Sequence, residues 1–215
     1  MGFKIKGGGR EKLKLVTKEE WEPKTILGKM VKEGEVNSVE QISDMGRRIL
    51  EPEIVDVILP ELESETLQIK STQRSTDSGR KASFRIVVIV GDKKGHVGIG
   101  VGKSDEIRPA IQYAIKNAKK NVISTKSGCG SWECKCNVEH SIPQRTAGKE
   151  GSTIVTLKPA PRGLGLAGND VVKKVLSIAG IKDVWSFSSG GGNVYNMASA
   201  TINALDNLNK LKPLS

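Results

Sequence analysis

The sequence predicts a mixed α+β protein: a β-β-β-α unit over residues 66–126, then a β-α-β-α unit over 151–215, with a helical extension in front. Three observations carry this. The aliphatic run "ASFRIVVIV" and the glycine-punctuated "GHVGIGVG" are joined by "GDKKG", a glycine-bearing hairpin connection. The segment "SDEIRPAIQYAIKNAKKNVI" places Ile107, Ile111, Ala114, Ala118 and Val122 on one helical face. Strand-like and helix-like runs then alternate toward the C-terminus.

Taken in order, residues 1–18 carry six Lys/Arg, one Glu and three consecutive glycines, which predicts a flexible basic tail. The rest of the extension, to residue 65, holds two short helices, "PKTILGKMVKEG" and "EPEIVDVILP", each with a proline near its start. Ile26, Leu27, Met30 and Val31 share one face, and Ile54, Val55, Ile58 and Leu59 another. Helices this short need a surface to pack on. In the first unit "TLQIKSTQRST" is a strand and "DSGRK" a turn before the two strands named above. Its helix carries Asp105 and Glu106 at the positive end and Lys116, Lys119 and Lys120 near the negative end, as the macrodipole favours. A cysteine-containing loop spans 127–150. In the second unit "GSTIVTLKPA" and "KDVWSF" are strands, 168–179 is a helix, and "NVYNMASATINALDNLNK" is a helix with Val194, Met197, Ala198, Ile202, Leu205 and Leu208 on one side. Two small cores are expected.

The net charge of +10 is unevenly spread. Residues 1–70 hold 12 Lys/Arg against 14 Asp/Glu, whereas 71–126 hold 12 against 4. Clustered positive charge points to a polyanion, and to nucleic acid more than to a merely solubilising surface. Arg74, Arg80, Lys81, Arg85, Lys93, Lys94 and Lys103 fall on or between the three strands, beside Lys116, Lys119 and Lys120 of the helix. Such a sheet-plus-helix layout is similar to double-stranded RNA-binding domains, which read A-form shape through phosphates and 2′-hydroxyls. Phe84 is the one aromatic residue in this sheet, which disfavours a base-stacking platform. The longest aliphatic run, "IVVIV", is far too short to cross a bilayer, and no signal-peptide pattern follows the start. A soluble, cytoplasmic protein with no membrane partner is expected.

Residues 163–168 spell a literal G-x-G-x-x-G, with Asp183 twenty residues after the first glycine, where a dinucleotide fold keeps its ribose acid. A nucleotide-binding enzyme is therefore the alternative reading. Against it, "KPAPR" separates the strand from the first glycine, whereas a dinucleotide fold turns at once. His96 and His140 show no carboxylate or nucleophile at motif spacing, so no enzyme and no small-molecule substrate are expected. Two readings remain: a glycine turn that lets a strand–helix joint pack closely, or backbone N–H groups, with Arg162 beside them, facing an RNA phosphate.

All three cysteines and one of the two histidines lie in "CGSWECKCNVEH". A disulfide suits neither the odd count nor a cytosolic chain. Cys129, Cys134, Cys136 and His140 supply three thiolates and an imidazole, a set that takes Zn²⁺ tetrahedrally. The alternative is that the cysteines are small packing residues. Four protein ligands would leave no open position, so a zinc here would be structural.

The run Gly79-Arg-Lys-Ala-Ser-Phe84-Arg-Ile-Val-Val-Ile-Val-Gly91-Asp92-Lys-Lys-Gly95-His-Val-Gly98-Ile-Gly100-Val-Gly102-Lys103 resembles the signature of the ribosomal protein S-five family of the small subunit. "AIQYAIKNAKKN" and "KPAPRGLGLAGNDVVKKVLSIAGIKDV" are also similar to that family, and "PAPRG" with the long extension resembles its archaeal branch. The resemblance implies a non-enzymatic component of the small ribosomal subunit that binds 16S rRNA near the central pseudoknot and head–body neck. It implies ribosomal proteins S-four and S-eight as neighbours, a nearby mRNA entry path, and an effect on decoding accuracy. It places Ser78, Gly79, Arg80 and Lys81 in the loop that reaches toward the neck. It gives no support to a metal.

Overall fold

In chain order, β1 (Glu11–Lys12) is followed by three short helices, α1 (Ile26–Glu33), α2 (Val39–Asp44) and α3 (Pro52–Ile58). The long strands β2 (Glu63–Thr76), β3 (Gly79–Gly91) and β4 (His96–Ser104) lead into α4 (Ile107–Lys120) and the short β5 (Val122–Ser124). The second unit runs β6 (Thr146–Glu150), β7 (Thr153–Pro159), β8 (Leu166–Ala167), α5 (Asp170–Ala179), β9 (Val184–Ser189) and α6 (Val194–Lys210). The computed structural model describes residues 11–12, 21–134, 136 and 138–210; the expected basic tail, apart from Glu11–Lys12, lies outside the described residues.

Strands β1 to β5 form one antiparallel sheet in sequence order. The second sheet has the order β6-β7-β9-β8, with only β8 and β9 parallel. The α+β class and its two-unit sequence stand as expected. Five elements go beyond it, β1, α2, β5, β6 and β8, and three of them have a physical cause. Helix α2 is capped by Ser38, whose side chain accepts from Gln41 N–H at 3.3 Å. Val122 belongs to β5, not the preceding helix, because the chain turns at Asn121 and pairs Val122 with Gly98. Strand β6 is almost without β-formers; α6 holds it instead, with Asn207 and Asn203 side chains donating to the carbonyls of Ala147 and Lys149 at 3.0 and 3.1 Å.

The two cores are divided by sheet face. Ile86, Val88 and Val90 of β3 point to a cluster with Ala110, Ala114 and Ala118 of α4 and with Trp21, Leu27, Val31, Ile54 and Val55 of the extension. Val87 and Ile89, with Val97 and Ile99 of β4, point the other way and join Val155, Leu157, Val172, Val175, Leu176 and Leu205 of the second unit. Ile26, expected on the buried face of its helix, is 70% exposed, because that helix turns Leu27 and Val31, with Met30 beside them, to the core.

Strand and helix meet closely at β4. A Cβ on Gly98, Gly100 or Gly102 would fall 2.5, 2.2 or 2.0 Å from the carbonyl oxygens of Ala118, Ala114 and Ala110 respectively. Glycines at period two on the strand thus face alanines at period four on the helix, and the backbones touch.

Candidate nucleic-acid interface and metal centre

The pairing of β2 with β3 runs on to Thr76↔Gly79, whereas β3 pairs with β4 only as far as Phe84↔Ser104. Residues 71–83 therefore leave the sheet as a two-stranded arm, about 20 Å long at the rise of an extended strand. Asp77 and Ser78 make its two-residue turn, closed by Gly79 at φ +130° and by the Thr76 hydroxyl donating to Gly79 O at 2.8 Å.

Register gives this arm its electrostatics. Lys70 lies opposite Arg85, which lies opposite Lys103 on β4, so three cations stand in a row across three strands. Four residues along the same face, Arg74 lies opposite Lys81. Like charges directly opposite are destabilising in a free sheet. All five side chains are solvent-exposed, and of them Lys81 bonds Asp105 at 3.0 Å while Arg85 lies 6.0 Å over the Tyr195 ring. Between the cations sits a Thr72–Ser83 hydroxyl contact of 2.9 Å. Arg80 projects on the opposite face, across from Ser75.

The other expected cations are placed elsewhere. Lys93 and Lys94 lie in the turn beyond the far end of β3, which is about 33 Å from Lys81 along the strand, and are engaged by Glu63 at 2.6 Å and Glu61 at 2.5 Å. Lys116 and Lys120 are exposed on α4. Lys119 does not join them: it is 6% exposed, and its ammonium lies 2.5 Å from Asp56, itself 6% exposed. It points between α3 and α4 because a partner carboxylate waits there. Lys70 escaped the sequence reading, although its even spacing from Arg74 on one strand carried the signal.

The cysteine loop is a closed knuckle. Gly128 and Ser141 exchange both backbone hydrogen bonds at 2.9 Å, and Gly130 N–H donates to Ile142 O at 3.1 Å. Within it the sulfurs of Cys129, Cys134 and Cys136 and a ring nitrogen of His140 all lie within 4.8 Å of one another. Cys136 Sγ is 3.5 Å from Cys129 Sγ, and His140 Nε2 is 3.7 Å from Cys134 Sγ, close to the edge of about 3.8 Å that a tetrahedron of 2.3 Å metal–sulfur bonds requires. Cys134 and Cys136 are tighter, at 2.8 Å, yet well beyond a disulfide bond. The hydrogen bond from Cys136, with backbone N–H groups of Arg162 and Cys136, holds the Cys134 thiol down at about 6. Desolvation, then the Cys136 hydrogen bond, pushes Cys129 up to about 11. One sulfur is thus ready to ligate at neutral pH, and an ion would have to draw the proton from another. The donor set and its spacing fit a four-coordinate metal.

Both histidines have carboxylate partners, contrary to the sequence reading. Asp92 lies 2.7 Å from His96 Nδ1, and Asp183 lies 2.8 Å from His140 Nδ1. Desolvation opposes the ionised Asp92, but hydrogen bonds from His96 and from the N–H groups of Lys94 and His96 hold its carboxyl below the usual range, closing the β3–β4 turn. Asp183 also answers the glycine motif. Gly163 and Gly165 donate their N–H groups to its other oxygen, at 3.1 and 2.7 Å. These are the donors a nucleotide phosphate would have used.

The chain thus folds as two α+β units, the first presenting a row of exposed cations across three strands. Residues 62–126 match the family description "Ribosomal protein S5, N-terminal domain", and residues 148–215 match "Ribosomal protein S5, C-terminal domain". The chain is 53% identical over 192 residues to the small ribosomal subunit protein uS5 of Methanocaldococcus jannaschii, covering 89% of this chain and 88% of that protein. It is 52% identical over 196 residues to the uS5 of Methanoregula boonei, with 91% and 96% covered, and 50% identical over 189 residues to that of Hyperthermus butylicus, with 87% and 89% covered. The chain belongs to the ribosomal protein S5 family, whose role is structural and non-enzymatic. Among the described residues no helix is long and apolar enough to cross a membrane.

Proposed function

We propose that the protein is a structural constituent of the small ribosomal subunit in the cytoplasm, and that it holds small-subunit rRNA through the cation face of the β2–β3 arm. The observation that carries this is the cross-strand register of Lys70, Arg85, Lys103, Arg74 and Lys81. Asp105 and the Tyr195 ring offset part of this repulsion, and closely spaced phosphates would offset the rest. Exposed Arg80, Lys116 and Lys120 extend the contact, and Lys93, Lys94 and Arg162 serve secondary sites. The turn at Asp77 and Ser78, closed by Gly79, lets the arm reach toward the head–body neck. Neighbouring S-four and S-eight, the mRNA entry path and decoding accuracy belong to the same reading.

Zinc is the ion proposed for Cys129, Cys134, Cys136 and His140. With all four positions taken by protein, bound zinc would supply cross-linking of the knuckle and no reaction chemistry.

The arm is tested by replacing Arg74 and Lys81 together with Ala and measuring binding to small-subunit rRNA across a salt series. The slope of log K against log salt should flatten by about 0.7–0.9 for each phosphate that the variant no longer neutralises. Lys29→Ala, exposed on α1 and outside the proposed contact, should leave the slope nearly as it was. A double variant with wild-type slope and affinity would remove the arm from the RNA interface.

A further inference from the structure

Three chain segments far apart in sequence meet at Asp183. It is 4% exposed, as is His140. One carboxylate oxygen faces His140 Nδ1 at 2.8 Å, and the other takes the N–H groups of Gly163 and Gly165. Lys182 and Asp183 donate their own N–H groups to His140 O, both at 3.0 Å. Just before the glycines, the N–H of Arg162 bonds the Cys134 sulfur. Ala160 N–H donates to the buried Ser141 hydroxyl at 3.2 Å. The segment 160–165 is therefore stitched to the knuckle on both sides of its turn.

The glycines are required by conformation, not by crowding. Gly163 and Gly165 have φ of +89° and +76°, and a Cβ on either would meet nothing within 4 Å. Left-handed backbone at these two positions aims both N–H groups at one oxygen. That oxygen already bears the negative charge such a nest attracts.

We infer that Asp183 is a positioning residue which couples the metal centre to the 160–165 loop, so that the segment resembling a nucleotide-binding motif is the outer clasp of a metal knuckle. The inference rests on the metal reading proposed above. Its chemistry is that of a carboxylate behind a ligating imidazole. Asp183 accepts a hydrogen bond from Nδ1–H, fixes the tautomer, and leaves the Nε2 lone pair facing the sulfurs. One carboxylate thus serves both contacts, with one oxygen on His140 and the other on the two glycine N–H groups. An ion that fixes His140 thereby fixes the loop, and a loosened His140 releases it.

The test uses the full chain. Cobalt titration, read by its thiolate charge-transfer absorption, measures metal binding directly, and zinc analysis of protein purified without chelator measures the native content. Amide exchange at Gly163 and Gly165 is then followed with zinc and with chelator. Zinc should slow both amides at least tenfold. Asp183→Asn should weaken cobalt affinity roughly ten- to hundredfold and abolish the zinc dependence of the two amides, while Asp170→Asn, at the exposed start of α5, should change neither. If cobalt binds the wild type but the glycine amides exchange alike with and without zinc, the coupling is overturned and the metal site stands. If cobalt fails to bind and no zinc is found, the metal reading falls and takes the coupling with it. Should Asp183→Asn fail to fold, the wild-type exchange comparison alone decides.

Discussion

Lys119 and Asp56 show what one buried pair does when its surroundings are otherwise apolar. Desolvation pushes the Asp56 carboxyl up from its ordinary value, against the hydrogen bond and charge of Lys119. Such a pair contributes little net stability but is costly to split, since either partner alone is a buried unpaired charge. Lys119→Met should therefore cost about 3–5 kcal/mol, whereas Lys119→Met combined with Asp56→Leu should fall within about 1 kcal/mol of wild type. The single variant also has a pH signature. A carboxyl whose folded pKa is raised binds its proton more tightly when folded, so the deficit should shrink in acid and grow as pH rises through that raised pKa. Urea midpoints at several pH values measure both. A double variant as unstable as the single one would mean that the pair itself stabilises the fold. The sequence shows Lys119 as one more cation at a helix end, and nothing local distinguishes it from exposed Lys116 and Lys120. What distinguishes it is a carboxylate 63 residues away.

At the scale of elements, glycine spacing decides how closely α4 can lie on β4. A side chain on Gly100 would strike the backbone of Ala114 and Ala118, both at 2.2 Å, and backbone inside a packed helix cannot swing aside as a side-chain tip can. Gly100→Ala should cost about 3 kcal/mol, the upper end of ordinary overpacking. Gly192→Ala, where a Cβ meets nothing within 4 Å, should stay within about 0.5 kcal/mol of wild type. Thermal or urea unfolding compares the two, and equal costs would show that the helix shifts freely. The match that includes Ala110 was not legible in the sequence, whereas the glycine punctuation of β4 and the places of Ala114 and Ala118 on the helix face were. So were the aliphatic strands, the amphipathic helices and the Cys/His donors, because each is a local signal. Strand β6 was not, because the asparagines that hold it lie on α6. The same holds for the partner of His140, 43 residues away. Asp183 stood out only through its distance from a glycine, and that spacing belonged to a hydrogen bond inside the protein instead of to a ribose.

At the scale of the molecule, β3 binds the two units into one folding body. Its "IVVIV" run is continuous rather than alternating, the pattern of a strand covered on both faces. One face meets α4 and the extension, and the other meets α5 and α6 of the second unit. The hairpin end reinforces this: Lys93 N–H donates to Ile178 O at 2.9 Å, and a Cβ on Gly91 would lie 2.4 Å from the Ile178 side chain. Neither unit can expose its half of that strand cheaply, so loss of packing on one face should be felt across the other. Ile86 and Ile89, both fully buried, separate the faces, since Ile86 touches the helical extension side and Ile89 the second unit. Replacing either with Ala should cost about 2–5 kcal/mol. Each variant should lower the denaturant midpoint of amide exchange equally in α4 and α5, because both helices unfold in the same transition. In Ile86→Ala, an α5 that kept its wild-type midpoint while α4 lost protection would show two independent domains on a shared strand. Equal shifts would mean that the arm and the Cys/His knuckle, toward opposite ends of β3, are carried by one folding body.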